Sequence, residues 1–97
     1  MSDWSVYIVR CRNGSLYTGI TTDVERRFGE HASGSGARYL RGKGPLTLEF
    51  HCLIGEKGDA LRVEHAVKQL EKAAKESLIR DSGTDAATLL ALLPDPD

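Results

Sequence analysis

The chain begins with two short segments of strand-like sequence that are separated by a tight turn. Residues 4–11 and 15–20 are rich in β-branched and aromatic side chains, which suit a pleated strand. Between them lies Asn13-Gly14, a dipeptide that strongly indicates a β-hairpin. A hairpin at this position limits the fold to those built on an antiparallel sheet.

The length of the hairpin loop decides whether Tyr7 and Tyr17 share a face of the sheet. On local propensity Asn-Gly favours a two-residue loop, which would place the two tyrosines on opposite faces. A three-residue loop with Gly14 in the left-handed conformation would instead pair Tyr7 with Gly19 and put both tyrosines on one face. The other face would then collect Val6, Ile8, Leu16 and Ile20, which is a cleaner aliphatic face than the two-residue loop gives. We therefore predict the three-residue loop, or a bulge of the same parity, with Gly19 leaving space for the Tyr7 ring.

A helix and a third strand are expected next. Residues 22–25 (TDVE) have the pattern of a capping box, which predicts a helix from there to about Ser33. Residues 34–45 contain too many glycines to form one continuous helix. From Leu46 to Ile54 apolar residues alternate with mostly polar ones, which predicts a half-buried strand.

A second helical region begins at Gly58-Asp59 and reaches Arg80, with a break expected near Ala73. Its apolar residues recur at helical spacing and form one buried stripe: Ala60, Val63, Ala66, Val67, Leu70 and Ala74. A short final helix is expected over residues 85–93. The order ββαβαα predicts a small α+β domain, a three-stranded antiparallel sheet flanked by helices. Its core would cover about residues 4–75, with a C-terminal helical extension over about 76–93.

Composition places the chain among ordinary globular proteins. Its 97 residues, 40% of them hydrophobic, suffice for one domain over residues 1–97. No apolar run approaches the roughly 20 residues of a transmembrane helix, and the start lacks a cleavable leader pattern. Cys11 and Cys52 show no metal-ligand spacing. We expect a cytoplasmic protein that is not bound to membranes, monomeric by default, with two reduced, buried thiols.

Charge is unevenly distributed along the chain. The net charge of −1 argues against binding to nucleic acid through bulk electrostatics. However, five of the seven arginines and lysines in residues 1–45 lie between Arg26 and Lys43. The distribution therefore leaves room for a local basic surface.

The first predicted helix has two arginines whose directions differ. With Val24 and Phe28 turned toward the core, Arg27 lies about 60° and His31 about 20° from Val24 around the helix axis. Arg26 lies about 160° away and should face solvent. Arg27 and His31 are thus i,i+4 neighbours on one flank of the buried stripe.

Glu64 lies at the border of the apolar stripe of the second helical region. It is roughly 90° from the centre of the stripe, so it is not on the outer face. A carboxylate at such a border either extends to solvent or is held by a partner, and the pattern alone leaves both interpretations open.

Taken together, these positions carry a family resemblance. The stretch SVYIVRCRNGSLYTGITTDVERRFGEH resembles the core motif of the GIY-YIG endonuclease family, with Tyr7 and Tyr17 as the motif tyrosines. That family has an arginine ten residues after the second tyrosine and a histidine or tyrosine four further on, which match Arg27 and His31. The family also has a metal-binding glutamate on a later helix, and Glu64 matches that residue. The resemblance covers about residues 4–75 and is closest to small, single-domain bacterial members.

The resemblance implies hydrolysis of phosphodiester bonds in nucleic acid, DNA rather than RNA, with one divalent metal ion, Mg²⁺ or Mn²⁺. Glu64 would be the metal ligand, and Arg27 would stabilise charge on the phosphate oxygens. Tyr7 would take a proton from the attacking water, while Tyr17 and His31 orient the water and Tyr7. A phenol with a pKa near 10 needs Arg27, His31 or the metal to lower that pKa before it can act as a base at neutral pH.

Two departures from the family pattern accompany the match. Ser5-Val6 stands where the family has Gly-Ile, a mild change because the tyrosine carries the chemistry. The asparagine that several members place after the glutamate has no equivalent, since Asn13 is the only asparagine of the chain. The positioning of phosphate or substrate that this residue provides elsewhere has no evident substitute here.

The glycine-rich loop allows two interpretations. Arg38, Arg41 and Lys43 lie between glycines in ARYLRGKGP and would approach the phosphate backbone, or else form an ordinary solvated loop. Two rival functions remain beside the nuclease. One is a nucleic-acid-binding module with little or no activity, and the other is a protein-interaction domain that uses the acidic second half and the terminal LLALL.

Overall fold

A computed structural model describes residues 3–82, and these form the α+β domain that the sequence predicts. The strands are β1 (Trp4–Arg10), β2 (Leu16–Thr21) and β3 (Thr47–Gly55). The helices are α1 (Val24–Ser33), α2 (Lys57–Gln69) and α3 (Lys72–Ser82), with a 3-10 turn over Arg38–Leu40. All strand pairs are antiparallel, in the order β2-β1-β3. The final helix expected over residues 85–93 lies outside the described residues.

The hairpin has the three-residue loop. Val9 pairs with Tyr17 and Tyr7 pairs with Gly19, the register expected for that loop. The N–H of Cys11 donates to the carbonyl of Ser15 over 2.9 Å, which closes the loop. Gly14 has a φ of 91°, in the left-handed region that glycine enters at no steric cost. The prediction of register and of Gly14 conformation is confirmed.

The core lies between one face of the sheet and the second helical region. Val6 and Ile8 of β1 are fully buried there and pack with Phe50 and Cys52 of β3 and with Val63, Val67 and Leu78 of α2 and α3. Alternate residues of β3 are buried as the alternation predicts. Because this face holds the aliphatic residues, the opposite face of β1 is left for Tyr7. Cys11 and Cys52 are both buried and not joined in a disulfide.

Two details of the helices differ from the expectation. Helix α1 is capped by Asp23, whose carboxylate accepts from the N–H of Arg26 over 3.1 Å, so the capping box that would start at Thr22 does not form. The second helical region breaks at Leu70 rather than near Ala73, because Leu70 is extended. The break resets the direction of the following side chains, so Ala74 is exposed.

An ion-pair network joins α3 to the sheet. Arg10 of β1 binds both carboxylate oxygens of Glu76 at 2.5 and 2.7 Å and one oxygen of Glu49 at 2.5 Å. Two N–H groups of one guanidinium thus contact the same carboxylate, the geometry that favours arginine over lysine. The contact with Arg10, and secondarily with Lys72, lowers the pKa of Glu76 to about 2. Among residues 3–82, no helix is long and apolar enough to cross a bilayer.

Candidate active site

Tyr7 and Tyr17 stand side by side on the face of the sheet opposite the core. Their ring centroids are 6.5 Å apart, and Tyr7 is almost completely buried. Gly19 lies directly across from Tyr7 on β2. A Cβ atom at Gly19 would lie 2.5 Å from Tyr7 Oη and 2.6 Å from Cζ, closer than real Cβ contacts. The absence of a side chain at Gly19 is therefore what lets the Tyr7 ring occupy this position.

Helix α1 brings a buried histidine to the tyrosine pair. His31 Nε2 lies 2.7 Å from Tyr7 Oη, a short hydrogen bond between two buried groups. The His31 ring is also 5.5 Å from the Tyr17 ring and meets it edge-on. On its other side, His31 Nδ1 accepts a hydrogen bond from the backbone N–H of Ala37 over 3.1 Å. Tyr7, Tyr17 and His31 thus form one packed cluster, which we call the aromatic cluster.

The two arginines of α1 point in different directions. Arg27 is half-buried, donates to Glu30 over 2.9 Å and lies beside the Tyr7 hydroxyl, where its positive charge acts to lower the pKa of Tyr7. The side chain of Arg26 is 62% exposed and reaches only Asp23 and Glu30, at 3.8 and 4.0 Å. The helical-wheel prediction that Arg27 lies on the partly buried flank of α1 and Arg26 faces solvent is confirmed.

Glu64 approaches the same cluster from α2. Its side chain is 17% exposed, as expected for the border of the buried stripe, and Lys68 lies 3.3 Å from one carboxylate oxygen. The negative charge of Glu64 is close enough to raise the pKa of Tyr7. The carboxylate therefore has a partner within its own helix and also acts electrostatically on Tyr7.

Burial dominates the ionisation of the cluster. It raises the pKa of Tyr7 to about 12, with a further increase from Tyr17, and the opposing effect of Arg27 is smaller. Burial and then the charge of Arg27 lower the pKa of His31, so its imidazole is neutral at neutral pH. Of the three groups expected to lower the pKa of Tyr7, Arg27 does so, but desolvation of the phenolate outweighs its effect.

The glycine-rich loop folds back over Tyr17 through an aromatic residue that the sequence analysis missed. Tyr39 stacks on Tyr17 with centroids 5.9 Å apart and ring planes 22° from parallel, and Lys43 Nζ lies 3.4 Å from the Tyr39 centroid. Arg38 and Arg41 are exposed. The loop thus places Tyr39 against the aromatic cluster, with Lys43 packed on the Tyr39 ring rather than freely solvated. Tyr39 is the only aromatic residue in the loop, and that was the available signal.

The donor chemistry of the site fits a hard cation with few protein ligands. Within residues 3–82, no three His, Cys, Asp or Glu side chains come together as a metal cluster, which disfavours a zinc site held by the protein alone. Glu64 alone could supply carboxylate oxygens to a metal ion beside Tyr7. Mg²⁺ commonly binds through one or two carboxylates, with waters and substrate phosphate completing its shell. Such an ion would have to compete with Lys68 for the carboxylate.

Comparison with known proteins places this geometry in a family. Residues 3–77 match the GIY-YIG catalytic domain. The chain is 54% identical over 97 residues to the "UPF0213 protein in potE 3'region" of Serratia liquefaciens, covering 100% of this chain and 92% of the relative. It is 50% identical to the UPF0213 protein YhbQ of Escherichia coli O9:H4 (strain HS), covering 100% and 96%.

A solved structure has the same fold. The solution NMR structure of the UPF0213 protein BH0048 from Bacillus halodurans is 43% identical, with a TM-score of 0.56, covering 91% of this chain and 93% of that one. None of these three names states an activity. The match over residues 3–77, together with relatives at half identity over the whole chain, shows that the chain belongs to the GIY-YIG family as a small bacterial single-domain member.

Proposed function

We propose that this protein is a metal-dependent endonuclease that hydrolyses phosphodiester bonds in DNA. The observation that carries the proposal is the meeting of three side chains from two helices around the phenol oxygen of Tyr7. His31 is within hydrogen-bond distance of Tyr7 Oη, Arg27 lies beside that oxygen, and the charge of Glu64 acts on it. A buried titratable group whose pKa is shifted by burial and by specific charged neighbours is typical of functional sites.

Arg27 is the residue that would stabilise charge on the phosphate. Its guanidinium is fixed by Glu30 and remains 36% exposed, so it can contact a substrate oxygen without leaving its position. A fixed cation at a developing negative charge contributes to the transition state without a reorganisation cost. Arg26 lacks this placement and has no role in the proposal.

Tyr7 would take the proton of the attacking water, with His31 and Tyr17 holding its ring in place. As a base Tyr7 must react as the phenolate, which its present pKa of about 12 opposes at neutral pH. Glu64 would be the metal ligand. An ion bound there would polarise a phosphate oxygen and also offset the carboxylate charge that now raises the pKa of Tyr7.

The loop cations would hold the nucleic acid. Arg38 and Arg41 are exposed, and Lys43 in the same loop lies over the Tyr39 ring. Because the net charge of the chain is −1, we expect few phosphate contacts and weak binding that falls steeply with salt. We propose a monomer that acts on nucleic acid in the cytoplasm, with DNA preferred over RNA.

A cleavage screen tests the proposal. The full chain is incubated with labelled single-stranded, branched and duplex DNA and with RNA, in Mg²⁺, in Mn²⁺ or in chelator. We expect cleavage of DNA that requires metal and that disappears in a Tyr7→Phe preparation purified in parallel. Binding in low-salt gel shifts without any cleavage would point to the binding module. The absence of both would leave the protein-interaction domain.

A further inference from the structure

The His31 ring is contacted at both of its nitrogen atoms. Nε2 lies 2.7 Å from Tyr7 Oη, and Nδ1 lies 3.1 Å from the backbone nitrogen of Ala37 in the glycine-rich loop. The first contact belongs to the proposed site. The second joins that site to the glycine-rich loop.

We propose that Gly36 and the backbone amide of Ala37 are positioning elements that hold His31 in the tautomer with its proton on Nε2. The inference rests on the proposed function for its catalytic meaning, although the tautomer itself can be measured without any activity. In this arrangement His31 is a fixed hydrogen-bond donor to Tyr7 Oη, and it is not the base of the reaction.

The assignment follows from what a backbone amide can do. An amide N–H can only donate, so Nδ1 must offer it a lone pair and cannot carry a proton. A neutral imidazole has one proton, which is then on Nε2 and points at Tyr7 Oη. Adding a second proton to His31 would direct Nδ1–H against the Ala37 N–H. The groups near the ring that carry or can carry charge are Tyr7, Tyr17, Arg27 and Glu30.

In this tautomer His31 still donates a hydrogen bond to Tyr7 Oη after the phenol has ionised. Hydrogen bonds to the charged form of a group favour that form. Because His31 donates to Tyr7 Oη, the proton of the Tyr7 hydroxyl must point away from His31. With the opposite tautomer, Tyr7 would donate its proton to His31, and the contact would stabilise the neutral phenol instead.

Gly36 is what allows the loop to reach Nδ1. A Cβ atom at Gly36 would overlap His31 Nδ1 and would lie 2.9 Å from the Cα and backbone nitrogen of the same residue. These atoms belong to α1 and to a buried ring, so they cannot move aside. The backbone N–H groups of Ser35 and Gly36 both donate to the carbonyl of Glu30, at 3.0 and 2.9 Å, which fixes the loop against the end of α1. Any side chain at Gly36 must push the loop away and lengthen the Ala37 contact.

The direct test is nitrogen NMR of the full chain with labelled histidine. Long-range proton–nitrogen spectra distinguish a protonated ring nitrogen from a bare one. The other two histidines, His51 and His65, are exposed, and their signals are identified by His51→Gln and His65→Gln. We expect His31 to show a protonated Nε2 and a bare Nδ1 near neutral pH. A protonated Nδ1, or rapid exchange between the tautomers, would overturn the proposal.

A pair of glycine variants tests the role of the loop. Gly36→Ala should lose the single tautomer and lower the single-turnover cleavage rate at least 10-fold. Gly29→Ala, on the same helix as His31 with nothing within 4 Å of the added Cβ, should change neither. If Gly36→Ala folds and keeps the tautomer and cleavage rate of the parent, the proposed role of Gly36 is refuted. If that variant does not fold, the NMR spectrum of the parent decides whether His31 has the proposed tautomer. If His31 has the expected tautomer but the protein cleaves no nucleic acid, the proposed function is refuted and the tautomer assignment stands.

Discussion

Replacing Gly19 by alanine should both destabilise the fold and inactivate the site. An added Cβ would lie 2.5 Å from Tyr7 Oη, whereas ordinary contact begins at 3.4 Å, so the ring must retreat by about 1 Å. Tyr7 has little room to do so, because it is 2% exposed and packs against Tyr17 and His31. A displacement of this size, in either direction along the 2.7 Å contact with His31, also takes that contact out of normal hydrogen-bond range.

The expected magnitude follows from these two losses. Overpacking a well-packed site costs about 1–3 kcal/mol, and a broken buried hydrogen bond costs about 1 kcal/mol more. Alanine recovers about 0.5–1 kcal/mol over glycine in a strand. A net loss of about 2 kcal/mol should lower the Tm of a domain of this size by roughly 8–16 °C. Thermal unfolding followed by circular dichroism measures it, and single-turnover cleavage should fall at least 100-fold.

Two comparisons make this result specific to the Tyr7 contact. Gly29→Ala should keep the parent's Tm or raise it slightly, because nothing lies within 4 Å of the added atom and alanine favours a helix. In a Tyr7→Ala background the clash is absent, so Gly19→Ala should cost nothing further. If Gly19→Ala has the same effect with and without the Tyr7 ring, the steric argument is wrong.

Three further predictions concern charge. Arg27→Ala should lower the single-turnover cleavage rate about 100-fold or more, whereas Arg26→Ala should barely change it, and equal effects would refute the assigned geometry. An ultraviolet titration of the metal-free protein should show Tyr7 ionising near pH 12, and Tyr7→Phe should remove that phenol. The raised pKa of Tyr7 contributes stability that is fully present below pH 10 and is lost as pH rises through 12. Ionisation of Tyr7 near pH 10 would contradict the burial argument. Glu76, whose pKa is lowered to about 2, contributes stability that is present above its ordinary pKa of 4.5 and is lost as pH falls through 2. Urea unfolding at a series of pH values should therefore give Glu76→Gln a lower free energy of unfolding than the parent near neutral pH and the same value near pH 2. A difference that does not change with pH would exclude the contact with Arg10.

The register of the hairpin could be predicted from sequence because the pattern of aliphatic residues outweighs the preference of Asn-Gly for a two-residue loop. The parity of the loop decides which residues share a face, and only one parity gathers the aliphatic residues of both strands. The same reasoning placed Arg27 toward the site and Arg26 toward solvent, since a helix of known start has known directions. Both conclusions need only local geometry and one buried face.

Other features of the site depend on contacts between distant segments. The stacking of Tyr39 on Tyr17 and the contact of Ala37 with His31 require the path of the glycine-rich loop, where Gly34 and Gly42 have positive φ angles. Glycines allow many such paths, so residue type does not select one. The pKa of Tyr7 depends on how deeply packing buries its hydroxyl, which a helical wheel or strand register does not measure.

The break between α2 and α3 was expected near Ala73, but its position at Leu70 had no clear sequence signal. No proline or glycine lies between Leu61 and Ser82 to mark the residue at which the helix ends. With the break at Leu70, the Leu78 side chain is buried in the core. This burial depends on how α3 packs against the rest of the domain, which the local sequence does not show. The break also explains why Ala74, a member of the predicted stripe, is exposed.

The most direct test of the nuclease assignment is the Mg²⁺ dependence of single-turnover DNA cleavage in the parent and in Glu64→Gln. Glu56→Gln is the matched control, because Glu56 is exposed at the start of the same helix and its side chain makes no capping hydrogen bond. We expect cleavage by the parent and by the control to saturate with Mg²⁺. Glu64→Gln should unfold at nearly the parent's temperature but lose cleavage at every Mg²⁺ concentration. Equal cleavage by Glu64→Gln and the parent would contradict the assignment of Glu64 as the metal ligand.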